Sequence, residues 1–340
     1  MQCVKKHALI YERGNIGMRI GFIGAGIISH THAEAIKKIE GLTLVAAAEV
    51  LPERLKDFAE KHHVNTYIDY KEMVKSEVLD AVAISLPHYL HKESAVFCAE
   101  HGLHILLEKP MANTVEECAE ILKATRQSGV VLMICHVQRY FSTNVAAKKI
   151  IDSGRLGKLV SITDVRNINY FVQSRPSWFL KKETAGGGIV MNYGVHSLDK
   201  IMFLTDSKVM HINGIIGKQM PNYDVEGHAQ ILLQLECGVT AVISYCGYNV
   251  PPINETILYF TEGTIKLHTG SELWVNQGDG YERIPIHSVG DQDAFAHQWQ
   301  DFFQVVENGA NNKNNGDYGM EIISSIEQIY NYCGFKNNIE

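Results

Sequence analysis

Short apolar runs alternate with stretches of helical spacing from residue 19 to residue 134, and few folds accept that rhythm. Residues 19–24, 42–49, 80–86, 103–107 and 130–134 read as strands. Between the first two, residues 27–39 carry helical spacing. Pro52 then opens a segment with Leu55, Phe58, Ala59 and His62 at i, i+3, i+4 and i+7. Residues 89–101 form a third helix with Gly102 as its stop. Thr114 and Glu117 form a capping box for a fourth, running through Arg126 and closed by Gly129. Strands separated by helices in this order predict a doubly wound parallel sheet with helices on both faces.

Beyond about residue 140 the pattern changes. A helix over 144–151 leads to longer, consecutive strands at 159–168, 209–216, 229–236, 239–248 and 256–260. Apolar residues alternate on either side of Cys237 and Gly238, as in an antiparallel hairpin with one buried face. Leu232 and Val242 fall on the other face, which predicts cover from helices or from a second subunit. Residues 294–307 and 320–330 return to helix, separated by an Asn-rich stretch at 311–315 that reads as a mobile surface connection. The expected division is an extension over 1–17, a doubly wound first domain over 18–138, and a second domain over 139–340.

The 340 residues suit two domains, and 46 % hydrophobic with 20 % charged residues leaves no case for disorder. A net charge of −7 without a Lys/Arg cluster argues against nucleic acid and anionic membrane surfaces as partners. No stretch approaches the roughly 18 apolar residues of a membrane span. Seven cysteines, an odd number without CxxC spacing, read as reduced thiols in a cytosol, so a soluble cytoplasmic protein is expected.

Gly24-Ala25-Gly26-Ile27-Ile28-Ser29 stands where the first strand meets the first helix. A pyrophosphate needs backbone N–H groups at a helix N-terminus, and a side chain at the second glycine would block its approach. Ser29 replaces the third glycine with another small residue. Glu49 ends the second strand, 23 residues after Gly26, where a carboxylate accepts from both ribose hydroxyls and repels a 2′-phosphate. Arg54 flanks the adenine or offsets a phosphate. The balance favours NAD over NADP.

With that turn, Leu86-Pro87-His88-Tyr89-Leu90-His91, Glu108-Lys109-Pro110 and the run from Gly186-Gly187-Gly188 to His196 follow in order. Together they resemble the signature blocks of the glucose–fructose oxidoreductase/inositol dehydrogenase/MocA family, over about residues 18–335. The resemblance implies that 18–138 is an NAD-binding Rossmann domain and 139–340 a substrate and oligomerisation domain, α/β with a large, mostly antiparallel open sheet. It also implies NAD-dependent hydride transfer at a carbinol carbon of a sugar, inositol or related polyol, in a homodimer or homotetramer. Gly24, Gly26, Ile27, Glu49, Arg54, Leu86, Pro87, His91 and Glu108 would then face the cofactor. Lys109, before a typically cis proline, would reach the substrate hydroxyl, with His196 beside it. Where relatives carry Asp four residues before the histidine, this chain has Asn192, which hydrogen-bonds a hydroxyl but takes no proton.

A lysine of lowered pKa or a histidine can move the hydroxyl proton near neutral pH. Lys109 is expected as general base, His196 as positioning group or auxiliary base, and Asn192 as anchor. Without an Asp at 192, Lys109 should lose its proton more readily. Trp178 is either a lid on the nicotinamide or a core residue; Gln138 and Arg139 either reach the site or pin the domains. The paired histidines lack acid or cysteine partners at ligand spacing, and no metal is expected. Two other readings stand beside the dehydrogenase: a non-redox enzyme with tightly held NAD, and a binding protein that kept the pocket.

Overall fold

The central strand of the first sheet is β1 (Met18–Ile23), flanked by β2 (Leu42–Ala48) and β4 (Ala81–Ile84). Residues 17–286 and 291–335 are described in this computed structural model. The expected extension therefore lies outside the described residues, except for Gly17. β3 (Asn65–Tyr67), β5 (His104–Leu107) and β6 (Leu132–Ile134) complete a six-stranded sheet of order β3-β2-β1-β4-β5-β6, parallel throughout. The strand order reverses between β1 and β4, the kind of crevice in which open α/β sheets bind ligands.

Alternate residues of the sheet feed different cores. Ile20, Phe22, Ala47, Ala81, Ala83 and Leu106 point to one side, Val82, Ile84, Ile105 and Leu107 to the other. The first side is covered by α1 (Ile27–Ile36), α2 (Pro52–His62) and α9 (Asp291–Asn308). Trp299 of α9 stacks on Phe22 at 6.2 Å and is fully buried. The chain after residue 290 thus crosses back onto the first sheet. The other side packs on α3 (Tyr70–Ser76), α4 (His91–Glu100) and α5 (Val115–Ser128). Each large apolar side chain buried this way contributes about 1.5–3 kcal/mol. The α5 cap is half of the expected box: Glu117 N donates to Thr114 Oγ1 at 3.2 Å, but Glu117 Oε2 accepts from Asn113 N.

After α6 (Ser142–Asp152), strands β7 (Leu159–Asn167), β8 (Val209–Gly217), β9 (His228–Leu235), β10 (Thr240–Cys246) and β11 (Ile253–Phe260) form most of the second sheet. β12 (Thr264–His268), β13 (Glu272–Asn276) and β14 (Tyr281–Arg283) extend it beyond the strands expected from sequence. Its order is β14-β13-β12-β11-β7-β10-β9-β8; all neighbours are antiparallel except β7 and β10. The chain between those two strands includes α7 (Lys182–Ala185), a π-helical turn (Val190–Gly194) and α8 (Val195–Thr205). The inner face, including Ile162, Ile231, Ile243 and Leu258, is buried in the same core as α8 and α10 (Gly316–Tyr332). On the outer face Ile215, Leu232 and Val242 are exposed, and Leu232 sits opposite Val242.

The Asn-rich stretch is no loose connection. Asn314 is fully buried; its carbonyl accepts from Ile134 N, and its amide donates to His136 O. Asn312 donates to Leu132 O, and Asn315 caps α10 through Tyr318 N. Amide side chains here supply the hydrogen bonds that the open edge of β6 would otherwise lack.

Candidate active site

A cavity of about 1460 Å³ opens between the carboxyl ends of β1, β2 and β4 and the inner face of the second sheet. That is larger than an ordinary small-molecule pocket and has room for a dinucleotide and a second ligand. At one end lie Ala25, Gly26 and Ile27. Gly24 has φ +95°, and a Cβ there would stand 2.5 Å from Ser85 O, so both backbone and space require glycine. Gly24 shapes the turn without lining the cavity. A Cβ on Gly26 would instead meet nothing within 4 Å. No side chain caps α1 at this end, which leaves its first N–H groups available to an anion. Ser29, fully buried, donates to Gly24 O at 2.8 Å and ties the helix to the turn.

Glu49 grips the same turn. Its Oε2 accepts from Ala25 N at 3.1 Å and its Oε1 from Leu51 N at 3.0 Å, with lone pairs left for ligand hydroxyls. Arg54 lines the cavity nearby, as do Leu86 and Pro87. His91 corrects the sequence reading. It is fully buried behind the wall, its two ring nitrogens 2.9 Å from Leu86 O and Pro110 O, so it braces two loops and meets no cavity. His88 lines the cavity in its place and reaches Ala185 O at 3.0 Å.

β5 delivers Glu108, Lys109 and Pro110, with the Lys109–Pro110 bond cis. Trp299 Nε1 donates to His32 Nδ1 at 3.0 Å, so the His32 hydrogen sits on Nε2 and is donated to Glu108 Oε1 at 3.0 Å. Glu108 Oε2 accepts from Lys109 N. Burial works against the Glu108 charge, but the His32 hydrogen bond and the neighbouring Lys109 hold its carboxyl below the ordinary value. His32, Glu108 and Cys135 place possible ligand atoms within 4.8 Å of one another. The His32 ring and the Glu108 carboxylate form a buried hydrogen-bonded pair, with the Cys135 thiol, driven well up by burial and Glu108, 4.0 Å from His32 Nε2.

Lys109 Nζ donates to Asn192 Oδ1 at 3.1 Å and to Asn192 O at 3.3 Å. The ammonium touches the cavity but lies deep in the molecule. Enclosure lowers its pKa to about 8; Glu108 opposes the shift, while Arg166 and Arg175 add to it. His196 also faces the cavity, its Nδ1 buried without a partner among the described residues. Burial, Lys109 and Arg166 keep it neutral, well below the usual histidine range.

The three glycines before this helix are forced by close approach. A Cβ on Gly187 would sit 1.9 Å from Tyr330 Oη, and one on Gly188 2.1 Å from Glu226 O. Glu226, fully buried, accepts from Gly188 N and Val190 N at 2.8 Å and from Tyr330 Oη at 2.9 Å. It aims the π-helical turn that presents Asn192. Trp178 lines the cavity, stacked on Phe179, and Gln138 also reaches it. Arg139 does not: it pairs with Asp199 at 3.2 Å and joins the two halves of the chain. Sequence reasoning missed Arg166, Asn254, Thr269 and Phe295, which all line the cavity. For Arg166 a signal existed, a cation in register with the inward-facing Ile162 and Asp164 of β7.

The family profile described as "Oxidoreductase family, NAD-binding Rossmann fold" matches residues 18–136, and "GFO/IDH/MocA C-terminal domain" matches residues 144–266. The chain belongs to the Gfo/Idh/MocA oxidoreductase family. Among Gfo/Idh/MocA relatives, 1-carboxy-3-chloro-3,4-dihydroxycyclohexa-1,5-diene dehydrogenase of Comamonas testosteroni is 29 % identical over 68 % of this chain and 58 % of its own length. Alignment with that relative therefore spans little more than half of it. Inositol 2-dehydrogenase of Rhizobium meliloti is 25 % identical over 95 % of this chain and 98 % of its own. A levoglucosan dehydrogenase solved with NADH shares the Gfo/Idh/MocA fold at a TM-score of 0.86, with 22 % identity over 94 % of this chain and 97 % of that one.

Proposed function

We propose that this oxidoreductase is NAD-dependent and exchanges a hydride with a carbinol carbon of a sugar, inositol or related polyol. The observation that carries this reading is the position of Lys109 Nζ, on the cavity wall at the strand end and held by Asn192. The uncapped start of α1 and the open space over Gly26 fit a pyrophosphate, and Glu49 fits the ribose diol. Bound there, NAD would supply the acceptor for the carbinol hydride. Lys109, as neutral amine, takes the hydroxyl proton as the C–O bond becomes a carbonyl, and returns it in reduction. Neutral His196 positions the hydroxyl, and Asn192 holds Lys109. The inositol dehydrogenase name of a full-length relative supports a cyclitol or sugar substrate.

A cytosolic location and a homodimer or homotetramer built across the second sheet belong to the same proposal. Unpaired cysteines, three of them buried, support the first, and the apolar outer face supports the second. No helix among the described residues is long and apolar enough to cross a membrane.

Titration with both cofactors tests the nucleotide choice. NAD should bind more tightly than NADP, because Glu49 faces the position of the extra phosphate. Glu49→Ser should narrow the gap. A polyol and sugar panel with NAD, followed at the nicotinamide absorbance, tests the reaction. Absence of turnover across the panel would remove the hydride-transfer reading.

A further inference from the structure

Arg166, like Arg175 over Tyr170, has no carboxylate partner among the described residues, unlike Lys200 and Arg139. Lys200 is 2.7 Å from Asp164, and Arg139 is paired with Asp199. Arg166 lines the cavity on β7 between Tyr245 of β10 and Asn254 of β11. Its guanidinium carbon lies over the Tyr193 ring, 4.3 Å from the ring centre, within cation–π range. Among the described residues no carboxylate pairs with its N–H edge. Asp164, two residues earlier on the same face, is already taken up by Lys200, Ser197 and Thr256.

The charge along the cavity is lopsided. None of the acidic residues lining it comes from the second sheet, and Glu108, beside Lys109, is tied to His32 and to Lys109 N. Lys109 and Arg166 line the cavity together with Asn192, Asn254, Thr269 and neutral His196. A neutral polyol there would leave the guanidinium fork facing hydroxyls, whereas a carboxylate accepts two parallel hydrogen bonds from it.

We propose that Arg166 sets substrate specificity by receiving a carboxylate, so that the substrate is an acidic polyol such as an aldonate, a uronate or a carboxylated cyclitol. The inference rests on the oxidoreductase reading above and narrows its substrate class. The Tyr193 ring holds the guanidinium in the cavity wall, where its N–H groups have no carboxylate partner among the described residues. The carboxylate end and the reacting hydroxyl are then fixed by two separate cations, Arg166 and Lys109.

Calorimetric titration of the NADH-loaded protein separates the two ideas, because an alcohol cannot react with the reduced cofactor. The ligands are D-glucuronate, D-galacturonate and D-gluconate against D-glucose, D-galactose and myo-inositol. At least one acid should bind roughly 10- to 100-fold more tightly than its neutral counterpart. Arg166→Gln should remove most of that ratio and Arg166→Lys should keep part of it, with NADH affinity reporting that each variant is folded. Neutral ligands binding as tightly as their acids would overturn the inference, as would no acid binding at millimolar concentration. So would a ratio unchanged in Arg166→Gln. Acid-selective binding without any turnover under NAD would leave Arg166 in its role and sink the hydride-transfer reading instead. Turnover of neutral polyols alone would do the reverse.

Discussion

An ammonium group enclosed by protein beside two guanidinium groups releases its proton more readily than one in water, and Lys109 is such a group, with a pKa of about 8. The neutral amine is the form that can accept a proton, so oxidation should rise with pH through one ionisation centred near 8, while reduction falls. Lys109→Met should lower turnover about 10²- to 10⁴-fold with cofactor affinity nearly unchanged; full activity in that variant would exclude the lysine as base. Asn192→Asp would place an anion 3.1 Å or so from Nζ, where the amide oxygen now sits, and stabilise the ammonium. Its rate profile should therefore move to higher pH, and a profile unmoved by the substitution would count against contact between these groups during reaction. The expected lowering of the lysine pKa was tied to the missing carboxylate, yet burial is the larger cause in the structure. Residue types alone do not reveal depth.

At the scale of elements, Glu226 reaches from the chain just before β9 to hold the glycine turn before α8. Burial raises its carboxyl pKa in spite of the hydrogen bonds it receives. Glu226→Ala would orphan two backbone N–H groups and the Tyr330 hydroxyl, at a cost of about 2 kcal/mol or more. A clear drop in Tm is expected, together with loss of turnover as the Asn192 turn loosens; an unchanged Tm would show that water replaces the carboxylate. Nothing in the local sequence flags Glu226, because its partners lie 38 and 104 positions away. The same limit explains the other omissions. β12 and β13 alternate but are only five residues long, and β14 is three exposed residues, so each offers too short a pattern to read, whereas β9 and β10 alternate over eight and seven residues and were legible. The strand–turn–helix around Gly24 announced itself through local chemistry. His91 misled because a histidine in a ligand-bearing block looks the same whether it faces the cavity or the wall behind it. The Asn-rich stretch misled because amides that serve a sheet edge have the composition of a loop.

For the whole molecule, the outer face of the second sheet is the largest consequence still to be tested. Leu232 and Val242 lie opposite one another and are 46 % and 40 % exposed, beside the still more exposed Ile215. Apolar residues on one continuous sheet face favour association through a two-fold axis. Light scattering should report a dimer or tetramer, and Leu232→Glu with Val242→Glu should shift it toward the monomer while leaving cofactor binding in place. A wild-type monomer at micromolar concentration would refute the arrangement.

The return of α9 to the first sheet also bears on how the protein comes into being. The strands of that sheet leave the ribosome early, but the tryptophan that covers Phe22 and orients His32 is made only after the entire second sheet. Until then the nascent nucleotide-binding half presents a bare aromatic face, and the relay through His32 to Glu108 lacks its first donor. A message cut short anywhere before residue 291 would therefore yield a half-enzyme whose own core is unfinished, a natural client for chaperones and proteases.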